Sequence, residues 1–223
     1  MKNKYLSYLS DGILAGFMIG VGAIVFMSSD NRYIGAFLFS LGLFSVVCFK
    51  YGLFTGKVGY IPLRKPEYLI EVVITLFANL FGTFFAATLF RASRFCTAAV
   101  SGLDLSACDR AKASMLAKIN DSYLSSFVLA VFCGLLMFTA VDAFKNEKLP
   151  GVCRPVMVFL CVMVFILSGF EHCIANMYYF SAADAWNINT LILTLLMTLG
   201  NSVGGNLFAA LVKHSPKFVQ QVK

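Results

Sequence analysis

FILSGFEHCIAN, residues 165–176, is the stretch on which the fold turns. It closes an apolar run, Pro155–Phe170, and passes straight into Glu171 and His172. A second run, Tyr33–Phe49, is broken in the same way by KYGLFTGK, residues 50–57, followed by Val58-Gly59-Tyr60-Ile61-Pro62. Charges and glycines at membrane depth are expensive in lipid. Irregular backbone there is tolerated only where protein buries it or where it lines an aqueous cavity. Two breaks at matching depths therefore point to a central pathway between them.

The composition supports a membrane setting. Of 223 residues, 59% are hydrophobic and 13% charged, with 23 Phe, and the mean hydropathy is +0.80. Soluble domains hold roughly 45–50% apolar and about 25% charged residues, so a soluble globular domain and a disordered chain are both excluded. Seven cysteines are an odd number. Cys48, Cys133, Cys161 and Cys173 lie inside apolar runs, where thiols act as small hydrophobes. A disulfide-stapled secreted domain is excluded, and without a C-x-x-C pair so is a structural zinc site.

Six stretches are free of Asp, Glu, Lys and Arg: Gly12–Ser29, Tyr33–Phe49, Val72–Phe90, Ser122–Val141, Pro155–Phe170 and Ala185–Val212. Each approaches the roughly 20 residues a spanning helix needs. The first is expected to be retained, since it has no small-residue cleavage site and five spans follow. The longest connection, Arg91–Asp121, is polar and rich in Ala and Ser. Six crossings put both termini on one side. With cytoplasmic termini, the inside segments carry Lys2, Lys4, Arg64, Lys65, Lys145, Lys148, Arg154, Lys213, Lys217 and Lys223. The outside segments carry Arg32, Arg91, Arg94, Arg110, Lys112 and Lys118. The positive-inside rule then favours cytoplasmic termini. Basic residues scattered over both sides do not make a nucleic-acid surface.

The two halves repeat weakly. Asn79-Leu-Phe-Gly82 in the third span matches Asn201-Ser-Val-Gly204 in the sixth, and Asp11 and Asp121 each precede a half. A three-span unit repeated in tandem enters the membrane in opposite orientations, which makes an inverted repeat. The expected fold is all-α and integral to the membrane: six transmembrane helices as an inverted 3+3 repeat, with the second and fifth broken. One domain covers residues 1–223, with repeats at about 8–91 and 118–213. Gly12, Gly16, Gly20 and Gly22 follow small-x-x-x-small spacing, which favours close helix approach over chemistry.

At these residues the chain resembles the formate–nitrite transporter family of pentameric anion channels. Phe39-Ser-Leu-Gly-Leu43 with Leu53-Phe54-Thr55-Gly56 is similar to the family's broken second helix and omega-shaped loop. Gly169–Met177 is similar to its signature at the broken fifth helix, and Gly200–Gly205 to its sixth-helix motif. The resemblance spans the chain and implies an aquaporin-like protomer in a homopentamer. It implies a pore centre at His172 and Thr55, and apolar constrictions of Phe39, Leu43, Leu53, Phe54 and Phe165. Lys118 matches a vestibule lysine that attracts anions. Gly134 stands where the family often has Asn. The lysines Lys50 and Lys57, near a pore mouth, resemble the hydrosulfide-conducting branch.

Each residue also has a plainer structural use. His172 could cap a helix break, Thr55 could cap a half-helix, and any one of 23 Phe packs by default. Lys50 and Lys57 can snorkel. Glu171 is expected to face away from an anion path and accept hydrogen bonds from amides freed at the opposite break. Asn176 and Asn201 are expected as supports at the breaks. His214 lies in the C-terminal tail. One His and one Glu do not complete a metal shell, so no metal and no cofactor are expected.

The expected function is a passive channel for small monovalent weak-acid anions, hydrosulfide first, with formate, nitrite and chloride. Desolvating a bare anion at an apolar ring is costly. Half-helix N-termini favour anions, and the Thr55–His172 pair offers a hydrogen bond or a proton. A proton-coupled formate or nitrite transporter of the same fold is the alternative. A neutral-solute aquaporin would need two Asn-Pro-Ala motifs, which are absent from the sequence. An intramembrane enzyme would need a positioned Ser or a second metal-ligating His. The partners expected are small anions, the lipid bilayer and four further copies of the chain, in a bacterial inner membrane.

Overall fold

The protein was analysed as a computed structural model that describes residues 3–213. Lys2, His214, Lys217 and Lys223, named above, lie outside the described residues. Nine α-helices account for most of the rest: α1 Lys4–Met27, α2 Arg32–Phe49, α3 Phe54–Val58, α4 Tyr68–Arg91, α5 Ala107–Ile119, α6 Tyr123–Lys145, α7 Cys153–Ser168, α8 Cys173–Ala182 and α9 Ile188–Lys213. Five are long and apolar enough to cross a membrane, and α7 with α8 makes a sixth span bent by 55°.

Local chemistry sets the ends. Asn3 caps α1 by accepting from the Tyr5 amide, and Asn31 caps α2 through the amides of Tyr33 and Ile34. The two breaks begin alike. Lys50 ends α2 with φ 60°, and Gly169 ends α7 with φ 71°. Both residues take the left-handed conformation that stops a helix, but Lys50 does so without a glycine's freedom. The polar connection after α4 is more ordered than its composition suggests. It holds α5, started by a capping box in which Ser106 and Asp109 bond each other's backbone amides. That signal, Ser106-Ala-Cys-Asp109, was present in the sequence.

Packing runs opposite to that of a soluble protein. On α4, the small inner residues Ala78, Gly82 and Ala86 are buried, while Phe77, Phe81, Phe84 and Phe85 point outward. Lipid is as apolar as Phe, so small residues that let backbones approach take the interface. At Gly16 a Cβ would run into the backbone of Asn79, and at Gly134 into that of Asn201. A side chain of asparagine's size has no room at Gly134.

The two halves share one hydrogen-bonding plan. Asn79 Nδ2 donates to the carbonyls of Gly12 and Gly52, at 2.7 and 2.8 Å, and its Oδ1 accepts from the Phe54 amide at 2.8 Å. Asn201 Nδ2 donates to the carbonyls of Ala130 and Glu171, at 2.7 and 2.8 Å, and its Oδ1 accepts from the Cys173 amide at 2.9 Å. Each asparagine thus ties a break to two long helices. The Gly52 amide donates to the Asp11 carbonyl, and the Glu171 amide to that of Leu129. Asp11 therefore corresponds to Leu129 and not to Asp121. Asp11 sits within α1 and Asp121 in the turn before α6, so that expected match is corrected.

Candidate functional site

The breaks meet at the centre of the molecule. Thr55, in the first turn of α3, and His172, the N-cap of α8, lie 2.9 Å apart between Oγ1 and Nε2. Both are buried, Thr55 at 0% and His172 at 2% exposure. The capping contact settles the tautomer. His172 Nδ1 accepts from the Ala175 amide at 3.1 Å, so Nδ1 carries no proton and the neutral ring carries its proton on Nε2. That N–H donates to Thr55 Oγ1. The Thr55 hydroxyl hydrogen then remains available to a third group. The capping and functional uses of His172 are served by different ring nitrogens.

The apolar residues singled out in the sequence belong to the same core, and one of them touches this pair. Phe39, Leu43, Leu53, Phe54 and Phe165 are all buried in one cluster. Phe39 meets Phe165 edge-on, with ring centroids 5.7 Å apart. Phe165 stacks on the His172 ring at 5.5 Å. The aromatic wall thus leads directly to the imidazole.

A cavity approaches from either end. One, of about 570 Å³, lies under α5 and reaches Phe165 and His172; Arg32, Arg110, Lys118 and Glu171 also line it. The other, of about 430 Å³, reaches Leu53 and Gly56 and is lined by Lys50, Lys57, Lys145 and Arg154. With Asp121 also in the first and Glu147 in the second, the first keeps a slight excess of positive charge and the second a larger one. Phe39, Leu43, Phe54 and Thr55 line neither.

The charged residues are less free than the sequence suggests. Lys118 Nζ is 2.6 Å from Glu171 Oε2, so a neighbouring carboxylate compensates its charge. Lys57 is paired with Glu71. Lys50 is exposed at the lip of the second cavity. In the first cavity, Arg32 and Arg110, which sequence reasoning did not single out as site residues, are held by backbone carbonyls and form none of the three ion pairs seen among the described residues. Arg110 donates to the carbonyls of Met27, at 2.6 Å, and Ser29, and Arg32 to that of Leu167 at 2.8 Å. In a polar connection an Arg reads as solvated, and nothing local to the sequence marks these two.

Glu171 departs from expectation. It accepts from Lys118 and, at 2.6 Å, from Asn176 Nδ2, not from amides at the opposite break. Asn79 already takes the Phe54 amide there, and Asn201 the Cys173 amide on Glu171's own side. The half-helix amides are therefore partly occupied, and fewer face an anion than free helix ends would offer. Asn79 is the support residue the sequence showed only as half of a repeat. Among the described residues, no group of three or more His, Cys, Asp and Glu is placed to hold a metal ion.

Comparison with known proteins places these features in a family. The family model described as formate/nitrite transporter matches residues 1–215. The formate channel FocA of Haemophilus influenzae is 24% identical over 244 residues, covering 92% of this chain and 84% of that protein. The nitrite transporter NirC of Salmonella typhimurium is 26% identical over 234 residues, covering 94% and 82%. Among solved structures, a pentameric formate channel with formate bound superposes over 100% of both chains with TM-score 0.79 at 24% identity. The aquaglyceroporin from Plasmodium falciparum superposes over 98% of this chain and 100% of that one, with TM-score 0.63 at 14% identity. With the match covering nearly the whole chain, this protein belongs to the formate/nitrite transporter family.

Proposed function

We propose that the protein is a passive channel for small monovalent anions of weak acids, with its pore inside each protomer. Hydrosulfide is placed first, and formate, nitrite and chloride also pass. The observation that carries this reading is the Thr55–His172 pair, whose hydroxyl hydrogen is left unassigned between two cationic cavities. An anion gathers in a cavity because positive charge on low-dielectric walls raises its local concentration. It then meets an apolar barrier, Phe39 and Phe165 from the α5 end or Leu43, Leu53 and Phe54 from the other. Crossing that barrier as a bare ion costs several kcal/mol or more. The Thr55 hydroxyl, polarised by the neutral imidazole, replaces part of the lost hydration.

The tautomer shapes the chemistry. Because Nε2–H is the only ring proton, giving it up would leave an imidazolate. The pair therefore supplies a hydrogen bond, and any proton that makes the permeant neutral comes from water in a cavity. The hydrosulfide preference rests on Lys50 and on Lys57 after the Thr-Gly pair. The relatives named for formate and nitrite support the wider anion class. A homopentamer is proposed because the solved formate channel is pentameric and because rows of Phe and Leu face outward. Cytoplasmic termini are proposed from the charge bias and a bacterial inner membrane from the family resemblance, and the repeats are taken as 8–91 and 118–213.

The test is anion flux into proteoliposomes for hydrosulfide, formate, nitrite and chloride across pH, for wild type and His172→Phe. Passive flux of several anions, with selectivity or pH response altered in the variant, supports the reading. Formate or nitrite favoured over hydrosulfide removes the sub-assignment. Flux that drives protons uphill replaces the channel with a symporter.

A further inference from the structure

Cys96 and Cys108 form a disulfide across the connection between α4 and α5, with Cα atoms 4.8 Å apart. These cysteines lie outside the apolar runs. The segment they close is a small hairpin: Val100 N–H donates to the Leu105 carbonyl, and Gly102 turns the chain with φ 79°. Cys108 is the second residue of α5 and is buried, whereas Cys96 is half-buried and reachable from solvent. The bond sits on the face opposite both described ends of the chain, because three spans, α1, α2 and α4, precede α5 and three more follow it.

We propose that Cys96–Cys108 is a thiol-exchange site on the extracytoplasmic face, and that its bond holds α5 where Arg110 can serve anion capture. Disulfides persist in oxidising compartments and not in the cytoplasm. A bond on the α5 face therefore places that face outside the cell, on grounds independent of the lysine count. The bond ties down the first turn of α5. Two residues on, Arg110 reaches the carbonyls of Met27 and Ser29 and lines the cavity that leads to His172. At the other end of α5, Lys118 is held by Glu171. Opening the disulfide frees the end that carries Arg110 and leaves Lys118, whose charge Glu171 compensates, in place.

The exchange is an ordinary two-electron reduction. A small thiolate, or hydrosulfide itself, attacks Cys96 Sγ, the accessible sulfur. The S–S bond breaks, and its electron pair leaves on Cys108 Sγ, which takes a proton from water. The new bond joins the attacking sulfur to Cys96 as a mixed disulfide, or a persulfide when hydrosulfide attacks. A second thiolate displaces Cys96 and leaves as the oxidised dimer. Two reductant thiols are thus oxidised to one disulfide while one protein disulfide becomes two thiols. Cys108 departs from the first turn of α5, where the positive end of the helix dipole favours the leaving thiolate. The bond re-forms by exchange with an oxidised thiol compound.

The capture half of the proposal rests on the channel function above, so two readouts are taken on the full-length protein. The first is mass spectrometry of peptides from intact cells quenched with an alkylating reagent. It is expected to find Cys96 and Cys108 linked, and both alkylated only after a membrane-impermeant phosphine is applied outside. The second is anion flux in proteoliposomes, with the phosphine added on the α5 face. Reduction is expected to raise the half-saturating anion concentration by about threefold and to leave maximal flux within about twofold, since only recruitment changes. Cys96→Ser/Cys108→Ser is expected to match the reduced protein and to ignore the phosphine. Both cysteines alkylated without reductant, or a half-saturating concentration unmoved while the thiols become labelled, would overturn the proposal. A linked pair in a protein that conducts no anion in either state would refute the channel function and the capture role, and would leave the cross-link and its compartment standing.

Discussion

Replacing Asn201 by Leu tests the support at the second break. The side chain is fully buried and makes three hydrogen bonds to backbone: the amide of Cys173 and the carbonyls of Glu171 and Ala130. Leu has similar bulk and no polar atom. The Cys173 amide then lacks a partner, which costs about 1–3 kcal/mol, and each carbonyl loses one of its acceptor contacts for about 0.5–1 kcal/mol. The expected loss is about 3 kcal/mol. Asn79→Leu removes the same set, from Phe54, Gly52 and Gly12, so its loss should agree within about 1 kcal/mol. Unfolding in mixed detergent micelles gives both values. The single Trp, Trp186, is a natural reporter, since its indole donates to Ser181 and packs on Phe180 at the far end of α8, the half-helix that starts at the second break. Losses below about 1 kcal/mol in both variants would show that these hydrogen bonds are replaced by water. A large loss in one and none in the other would show that the two breaks are not held alike.

Thr55→Val keeps the shape and removes the hydroxyl; flux should fall at least about tenfold, because one desolvated donor is worth about 1.4 kcal/mol or more, while Thr55→Ser keeps most of it. Lys118→Met strands the Glu171 carboxylate and should destabilise by about 3 kcal/mol in the same micelle assay, with Lys118→Met/Glu171→Gln recovering at least half. Gly134→Ala drives a methyl group into the backbone of Asn201 and should cost about 1–3 kcal/mol, and Gly16→Ala should do the same against Asn79.

How far the sequence carried the fold depended on the kind of signal. Long charge-free runs and paired breaks mark a membrane bundle because lipid penalises every exception, and each run falls largely within one helix, although only α4 extends its run at both ends. His172 and Thr55 were legible through motifs on either side of the breaks, although they are 117 residues apart. Partners were harder to read. Glu171 is the single acid in its run, and sequence alone does not show that Lys118, on a helix over the cavity, reaches it. Asn79 stood out only as the echo of Asn201, and its capping of Phe54 needs three dimensions. The Cys96–Cys108 pair was hidden by an odd total in which the other thiols are free.

The duplicate asparagine latches also bear on the order in which the chain assembles. Each latch closes inside one half: Asn79 gathers α1, its own break and α4, while Asn201 gathers α6, its own break and α9. Neither needs the other to be in place. The latch of the first half can therefore close while the second three spans are still being synthesised, although α2, α3 and α4 gain their packing on α7, α6 and α8 only later. The contact between Thr55 and His172 belongs to neither hemibundle and forms only when the two dock. The two residues on which permeation is proposed to depend thus meet only after both halves are in place.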